Sequence, residues 1–188
     1  MVMERAQPEA KRIRFERMYV EHHREVLAYC ARRLHDSEAW DVCAETFLVA
    51  WRKLDDVPES SLPYLYQIAR RVLSNHRRSR NRRDKLEKRL LGLGVAPGED
   101  LSVVVAVRDQ DRRIQQAVRR LGPVDREIIM LDAWEEMPRQ AIADITGLSR
   151  DAIDQRIHRA YRRLERILRP RFAIATSSSP PVTEKGGA

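Results

Sequence analysis

Apolar residues recur at intervals of three and four along most of this chain, which is the spacing of one face of an α-helix. Three such stripes occupy residues 15–30, 39–54 and 65–73. A turn at 55–63, which contains two prolines and two serines, separates the second stripe from the third. Because three apolar stripes can bury one another, we predict a helical bundle from about residue 10 to 85.

The composition agrees with a helical chain. Aromatic residues make up 6% and charged residues 34% of it, which favours helices with solvated faces over a sheet. No apolar run approaches the ~20 residues of a membrane span, and the N-terminal residues lack the apolar core of an export signal. Cys30 and Cys43 fall within helical patterns and are interpreted as buried thiols. We therefore expect a cytoplasmic protein.

The net charge of +8 is concentrated in two places. Residues 61–91 carry ten basic and two acidic side chains, and residues 148–188 carry nine and four. The segment 70–83 alone holds seven arginines and no acid. Two basic patches are typical of a protein that binds a polyanion at two places, since each neutralised phosphate releases counterions. The alternative, a solvated face, usually mixes both signs.

The chain divides into two helical units. Residues 89–103 include three of the seven glycines and a proline, and are predicted to form a linker. Helical patterning resumes near residue 104 and continues to about 170, while residues 171–188 are poor in apolar side chains and are predicted to be disordered. The predicted fold class is all-α, with two small helical domains, 10–88 and 104–170, joined by a flexible linker.

Residues 138–168 have the pattern of a helix-turn-helix, whose second helix can enter the major groove of DNA. Gly147 permits the backbone conformation that ends the first helix, and Ser149 can cap the second. A plain helical hairpin is the alternative. The outward face of the second helix favours DNA binding, since its arginines can donate to phosphates and base edges. These arginines are Arg150, Arg156, Arg159, Arg162, Arg163, Arg166 and Arg169.

Two blocks of the sequence resemble a known family. The first block reads SEAWDVCAETFLVAWRKLD and, further on, LPYLYQIARRVLSNHRRSRNRR. It resembles region 2 of the extracytoplasmic-function sigma factors, group 4 of the sigma-70 family. The second block reads LGPVDREIIML and then GLSRDAIDQRIHRAYRRLERIL, and it is similar to region 4 of the same family. Together the blocks and the linker cover about residues 12–170.

The resemblance implies partners and site residues. Region 2 of such proteins binds the β′ clamp of core RNA polymerase and opens the −10 element, and region 4 binds the −35 element and the β flap. An anti-sigma factor often holds family members inactive. The implied polymerase-binding residues are Asp41 and Glu45. The implied −10 residues are Ser60, Ser61, Tyr64, Arg70, Arg71, Ser74, Asn75, Arg77 and Arg78. The implied −35 residues are Arg150, Asp154, Gln155, Arg156 and Arg159.

The chain departs from the family pattern at four positions. Ala44 stands where relatives often have Gln, Tyr64 where they commonly have Trp, and Arg71 where they frequently have Asn. Asp154 stands where relatives usually have a basic residue. A carboxylate there repels phosphate but can accept from cytosine N4, so Asp154 either marks an unusual −35 preference or faces a neighbouring arginine.

Other functions fit the sequence less well. None of the five histidines pairs with a cysteine or carboxylate at metal-ligand spacing, and neither a glycine-rich phosphate loop nor a nucleophile elbow is found, so we expect no enzyme, metal or cofactor. A stand-alone helix-turn-helix regulator would not need the first bundle or the arginine segment. An RNA-binding or antitermination protein would share the charge but not the region 2 pattern.

Overall fold

The computed structural model describes residues 3–34, 36–90 and 109–169, and within these ranges the regular structure is helical, without strands. The all-α prediction is confirmed. Residues 89 and 90 of the predicted linker continue a helix. The rest of the predicted linker and the predicted tail lie outside the described residues.

Three long helices form the N-terminal bundle. They are α1 (Met3–Ala31), α2 (Asp36–Arg52) and α3 (Ser61–Leu90), and a short 3-10 turn, Leu54–Asp56, follows α2. Each helix packs against the other two, so the three apolar stripes do bury one another. The most deeply buried side chains of the bundle include Val26, Tyr29, Cys30, Ala39, Val42, Cys43, Ala50, Leu65 and Ala69.

Four shorter helices form the C-terminal unit. They are α4 (Asp109–Arg119), α5 (Pro123–Ala133), α6 (Arg139–Thr146) and α7 (Arg150–Leu168). Helix α7 packs against the other three. Apolar residues of α4, α5 and α7, with Leu121 between the first two, form a core cluster of their own: Ala117, Val118, Leu121, Ile129, Met130, Ala160 and Leu164.

The turn between α6 and α7 has the geometry that its sequence predicts. Gly147 has a φ of 74°, and its N–H donates to the carbonyl oxygen of Ala143 at 2.8 Å. Glycine adopts this left-handed conformation without steric penalty, so it ends α6 cleanly. The Ser149 hydroxyl accepts from the Ala152 N–H at 3.3 Å and caps α7. Helices α6 and α7 therefore form the predicted helix-turn-helix.

Four residues that helical spacing would place on buried faces remain partly exposed, with 38–43% of their surface accessible: Tyr19, Trp51, Tyr161 and Leu168. Tyr19 and Trp51 still make edge contacts with Phe47 and Phe15. Tyr161 directs its hydroxyl to the Asp132 carboxylate at 2.8 Å, which keeps the polar end of the ring near water.

The N-terminal bundle and the C-terminal unit pack against each other, chiefly through α3 and α6. Seven apolar residues of the C-terminal unit belong to the same buried cluster as the core of the bundle. They are Ile128, Leu131, Ile142, Ala143, Ile145, Ile153 and Ile157.

Candidate nucleic-acid and polymerase interfaces

The outer face of α7 carries most of the residues predicted to contact the −35 element. Arg150, Asp154, Gln155 and Arg159 are exposed on it. Arg156 is different, because its guanidinium donates to the Asp125 carboxylate of α5 at 2.6 Å and is partly buried there. The structure thus brings four of the five predicted residues together on the outer face of α7, and it holds the fifth, Arg156, against α5.

Asp154 faces two arginines. One carboxylate oxygen lies 3.2 Å from Nε of Arg150, one turn earlier on α7, and the other lies 3.4 Å from Nε of Arg139 on α6. Arg139 also pairs with Asp132. Of the two roles that the sequence allowed for Asp154, the structure shows the contact with a neighbouring arginine. Arg139 was missed by sequence reasoning, since α6 gave no periodic basic face to mark it.

The turn that leads into α3 is tied to α1. Ser61 was predicted to contact the −10 element, but it is buried, and its hydroxyl lies 2.8 Å from Nε2 of His22. Arg14 donates to the carbonyl oxygens of Leu54 and Val57. Ser60 is exposed beside Ser61, so it can meet a ligand where Ser61 cannot. The hydroxyl of Ser61 and the guanidinium of Arg14 instead fix the shape of the turn.

The remaining predicted −10 residues follow along α3. Tyr64 is half-buried and packs against the bundle core. Arg70 is half-buried, and the others, Arg71, Ser74, Asn75, Arg77 and Arg78, are exposed. Arg78 donates to the Asn75 amide oxygen at 2.7 Å, and Arg77 donates to the Arg33 carbonyl oxygen at 3.3 Å. A groove of about 610 Å³ runs between this face and α5, and all six of these residues from Arg70 to Arg78 line it.

The predicted polymerase-binding acids share the outer face of α2. Asp41 and Glu45 are both exposed and lie one helical turn apart. Trp40 and Leu48 stand beside them with 56% and 48% of their surface accessible. Apolar side chains next to charged ones are typical of a protein-binding surface. The sequence analysis did not single out Trp40 and Leu48. Their places one residue before Asp41 and three residues after Glu45 could have marked them as neighbours of the acidic pair.

Two family models match the chain. Sigma-70 region 2 matches residues 18–83, and Sigma-70 region 4 matches residues 111–164. A relative described as RNA polymerase sigma factor NccH, from Alcaligenes xylosoxydans xylosoxydans, is 30% identical over 162 residues, which cover 79% of this chain and 84% of the relative.

The chain is a sigma-70 family sigma factor of the extracytoplasmic-function group.

A second relative agrees with this membership, and a solved structure shares the fold. RNA polymerase sigma factor CnrH from Cupriavidus metallidurans is 31% identical to this sigma factor over 162 residues, with 79% of this chain and 84% of the relative covered. The solved structure of the sigma factor RpoE in complex with the anti-sigma factor NepR, from Bartonella quintana, shares the fold. It has a TM-score of 0.63 and 23% identity, and the alignment covers 84% of this chain and 98% of that chain.

The family predicted from the residues is confirmed, and with it the general role of a sigma factor, which is promoter recognition and transcription initiation. Sigma factors bind core RNA polymerase and promoter DNA and are generally not enzymes. Among the residues that the structure describes, no cluster of metal-ligating side chains occurs. None of the described helices is both long and apolar enough to cross a membrane.

The two cysteines of the sigma factor are buried, as the sequence predicts. Burial raises the pKa of the Cys30 thiol to about 12 and that of the Cys43 thiol to about 11. Both thiols are therefore protonated at neutral pH and are poor nucleophiles. The two side chains act as small apolar groups in the core of the bundle.

Proposed function

We propose that this sigma factor docks on core RNA polymerase through the outer face of α2. Asp41 and Glu45 supply charge, and Trp40 and Leu48 supply apolar surface. The face is acidic, unlike those of α3 and α7, so it suits a basic or apolar protein surface and repels DNA. In the family, the partner of this face is the β′ clamp, and that of region 4 is the β flap.

Helix α7 then reads the −35 duplex from the major groove, with Gln155 and Arg159 at base edges or phosphates and Arg150 near the backbone. Helix α3 holds the −10 non-template strand after it melts. Ser60 and Tyr64 lie at the turn where a flipped base would be captured, and the arginines from Arg70 to Arg78 follow the phosphates. The polymerase supplies all bond-making chemistry, and this chain needs no cofactor.

The observation that carries this proposal is the separation of charge on the molecule. Cationic residues line α3 and the outer face of α7, which belong to different units, while α2 presents an acidic and apolar face. A stand-alone regulator needs one cationic face for duplex DNA. Two such faces and a protein-binding face fit a subunit that holds two promoter elements while attached to polymerase.

We further infer that the sigma factor acts in the cytoplasm, where its polymerase and promoters are, and that an anti-sigma factor restrains it. The structurally similar RpoE of Bartonella quintana was solved with such a partner, NepR.

A run-off transcription assay on fragmented genomic DNA of the source organism tests the proposal, with purified core polymerase alone and with the sigma factor added. We expect new, discrete transcripts when the sigma factor is present, and their start sites will give the promoter motifs. Absence of new transcripts, together with tight binding to duplex DNA without polymerase, would instead support a stand-alone regulator.

A further inference from the structure

The turn between α2 and α3 has an exposed tip that lies between two buried ends. Leu54 and Val57 are buried before it, and Ser61, the first residue of α3, is buried after it. The tip consists of Pro58, Glu59 and Ser60, which are exposed and belong to no helix. A segment outside a helix has no ladder of backbone hydrogen bonds to fix it, so its conformation depends on how its two ends are held.

Arg14 of α1 holds the first end. Its Nη1 donates to the carbonyl oxygen of Leu54 at 3.0 Å, and its Nη2 donates to that of Val57. One guanidinium can bridge two carbonyl groups because its donors are fixed in a planar fork. The two carbonyls stand at the end of the 3-10 turn Leu54–Asp56, where the backbone dipoles favour a cation. We name this contact of Arg14 with the Leu54 and Val57 carbonyls the bracket.

His22 of α1 holds the second end. Its Nε2 lies 2.8 Å from the Ser61 hydroxyl oxygen, and only 12% of the His22 side chain is exposed. Arg14 and His22 are eight residues apart, which is about 12 Å along a helix. Lys11 also pairs with Asp55, but both side chains are about half-exposed or more, so this pair contributes little to stability. Helix α1 therefore holds the turn on both sides of its tip.

The tip itself does not pack tightly against α1. A cavity of about 390 Å³ lies between them. Its lining on the side of α1 is Arg14, Arg17, Met18 and Glu21, and on the side of the turn Val57, Pro58, Glu59 and Ser61. With open space on this side, the tip is positioned by the hydrogen bonds at its ends rather than by close packing.

We propose that Arg14 is a positioning residue for the −10 strand: the bracket holds the tip in the shape that receives the flipped base, and so determines how strongly binding depends on that base. This role rests on the proposed assignment of the turn to the −10 element. An ordered segment loses less conformational entropy when its ligand binds, so the bracket raises affinity at the captured base. Arg14 acts through the backbone of Leu54 and Val57, without a contact to DNA of its own.

Ordering of the turn is tested first on the free sigma factor, by amide hydrogen exchange followed by NMR. The Val57 N–H donates to the Leu54 carbonyl oxygen at 3.2 Å, so its exchange rate reports on opening of the turn. Glutamine is shorter than arginine and lacks its fork of donors, so we expect Arg14→Gln to raise this rate about fivefold or more.

Arg12→Gln is the matched control for exchange. It removes the same charge from an exposed side chain of α1 that pairs with Glu9 and Glu16 on the same helix. We expect the Val57 rate of this variant to equal that of wild type. A rate that is equal in wild type and both variants would overturn the bracket.

Positioning is tested on the complex with core polymerase, with fluorescein-labelled single strands read by anisotropy. The strands carry the −10 element that the run-off assay identifies, either intact or with one nucleotide at a time made abasic. At the captured position, loss of the base should weaken wild-type binding about tenfold. In Arg14→Gln this factor should fall to about threefold or less, while the factors at the other positions stay unchanged. Factors that all equal those of wild type, or that all fall together, would overturn a positioning role.

Arg14→Lys separates positioning from a direct contact with DNA. Lysine keeps the positive charge but lacks the planar fork that bridges the two carbonyls. We expect Arg14→Lys to lose base dependence at the same position as Arg14→Gln, with circular dichroism to verify that both variants fold. Base dependence that Arg14→Lys retains and Arg14→Gln loses would show that the charge itself meets the strand, which would also overturn the positioning role.

The two measurements separate the bracket from the proposed function. Hydrogen exchange needs neither DNA nor polymerase, so faster exchange in Arg14→Gln supports the bracket whatever the chain binds. A wild-type complex that binds intact and abasic strands equally would refute the assignment of the turn to the −10 element. The positioning role of Arg14 would fail with that assignment, while the bracket would stand.

Discussion

Asp154 illustrates how one residue sets the charge of a DNA-facing surface. It lies on the outer face of α7, where its carboxylate pairs with Arg150 and Arg139. These side chains are between a third and a half exposed, so each pair contributes little to folding stability. Their effect is on the surface potential, because the carboxylate offsets cationic charge that would otherwise attract phosphate. We therefore expect Asp154 to lower the affinity of α7 for duplex DNA.

Asp154→Asn should raise the affinity for a promoter duplex found by the run-off assay. It should also steepen the salt dependence, by about 0.9 in the slope of log K against log salt for each additional phosphate that α7 neutralises. Anisotropy titrations at several salt concentrations measure both. Glu16→Gln, at an exposed acid of α1, is the control. A weaker complex for Asp154→Asn would show that the carboxylate instead accepts from a base, as cytosine N4 allows.

At the scale of elements, the turn between α6 and α7 depends on one backbone conformation. Gly147 has a positive φ, which an L-residue with a side chain adopts at a cost of about 1–2 kcal/mol. We expect Gly147→Ala to lower the free energy of unfolding by about that amount, as measured by urea titration. Gly122→Ala is the matched control, because Gly122 has a φ of −60° and open space around it. An equal loss in both variants would refute the conformational argument.

The outer face of α2 gives a prediction for polymerase binding. Asp41→Arg with Glu45→Arg reverses its charge and should weaken binding to core polymerase about tenfold or more, which is about 1.4 kcal/mol. Glu16→Arg with Glu21→Arg applies the same charge change to exposed acids of α1 and should leave binding unchanged. Binding is measured by anisotropy of the labelled sigma factor, with circular dichroism to verify folding. Unaltered binding of the α2 variant to core polymerase would show that the outer face of α2 is not the docking surface.

Helices and turns were predictable from the sequence where the residues that determine them lie close together in the chain. Apolar spacing, Gly147 and Ser149 lie within a few residues of the structure that they determine, and all three predictions were confirmed. The burial of Ser61 could not be predicted in this way, because its partner His22 is 39 residues away. Trp51 was placed inward on periodicity, but it lies at the edge of the bundle, where the neighbouring helix covers only part of its ring.

The whole molecule adds contacts that no local pattern indicates. Arg33 and Glu127 are 94 residues apart, and in the sequence both resemble ordinary charged residues of helix surfaces. Their burial follows only from the packing of α5 and α6 on the N-terminal bundle. The resemblance to a sigma factor predicted two domains and their partners, but not this arrangement of one domain on the other.

The buried contact between Arg33 and the Glu127 carboxylate, at 3.0 and 3.1 Å, makes the stability of the whole molecule sensitive to acid. The pKa of Glu127 in the folded chain lies below its ordinary value of 4.5, so the unfolded chain binds the proton more readily. The contribution of this carboxylate to stability is therefore fully present above about pH 4.5. It is lost as the pH falls through the folded pKa. Other carboxylates also titrate in this range, so the total stability alone does not isolate Glu127.

The comparison of wild type with Glu127→Gln isolates it, since the amide does not titrate. At pH 7 the free energy of unfolding of the variant should be lower by about 3 kcal/mol, because Arg33 keeps its charge and loses a buried counter-charge. This difference should shrink as the pH is lowered below about 4.5, since the wild-type carboxylate becomes neutral as well. Urea titrations across that range measure it, with Glu165→Gln as the control. A difference that stays constant with pH would mean that Glu127 carries no charge beside Arg33, and the electrostatic account of this contact would fail with it.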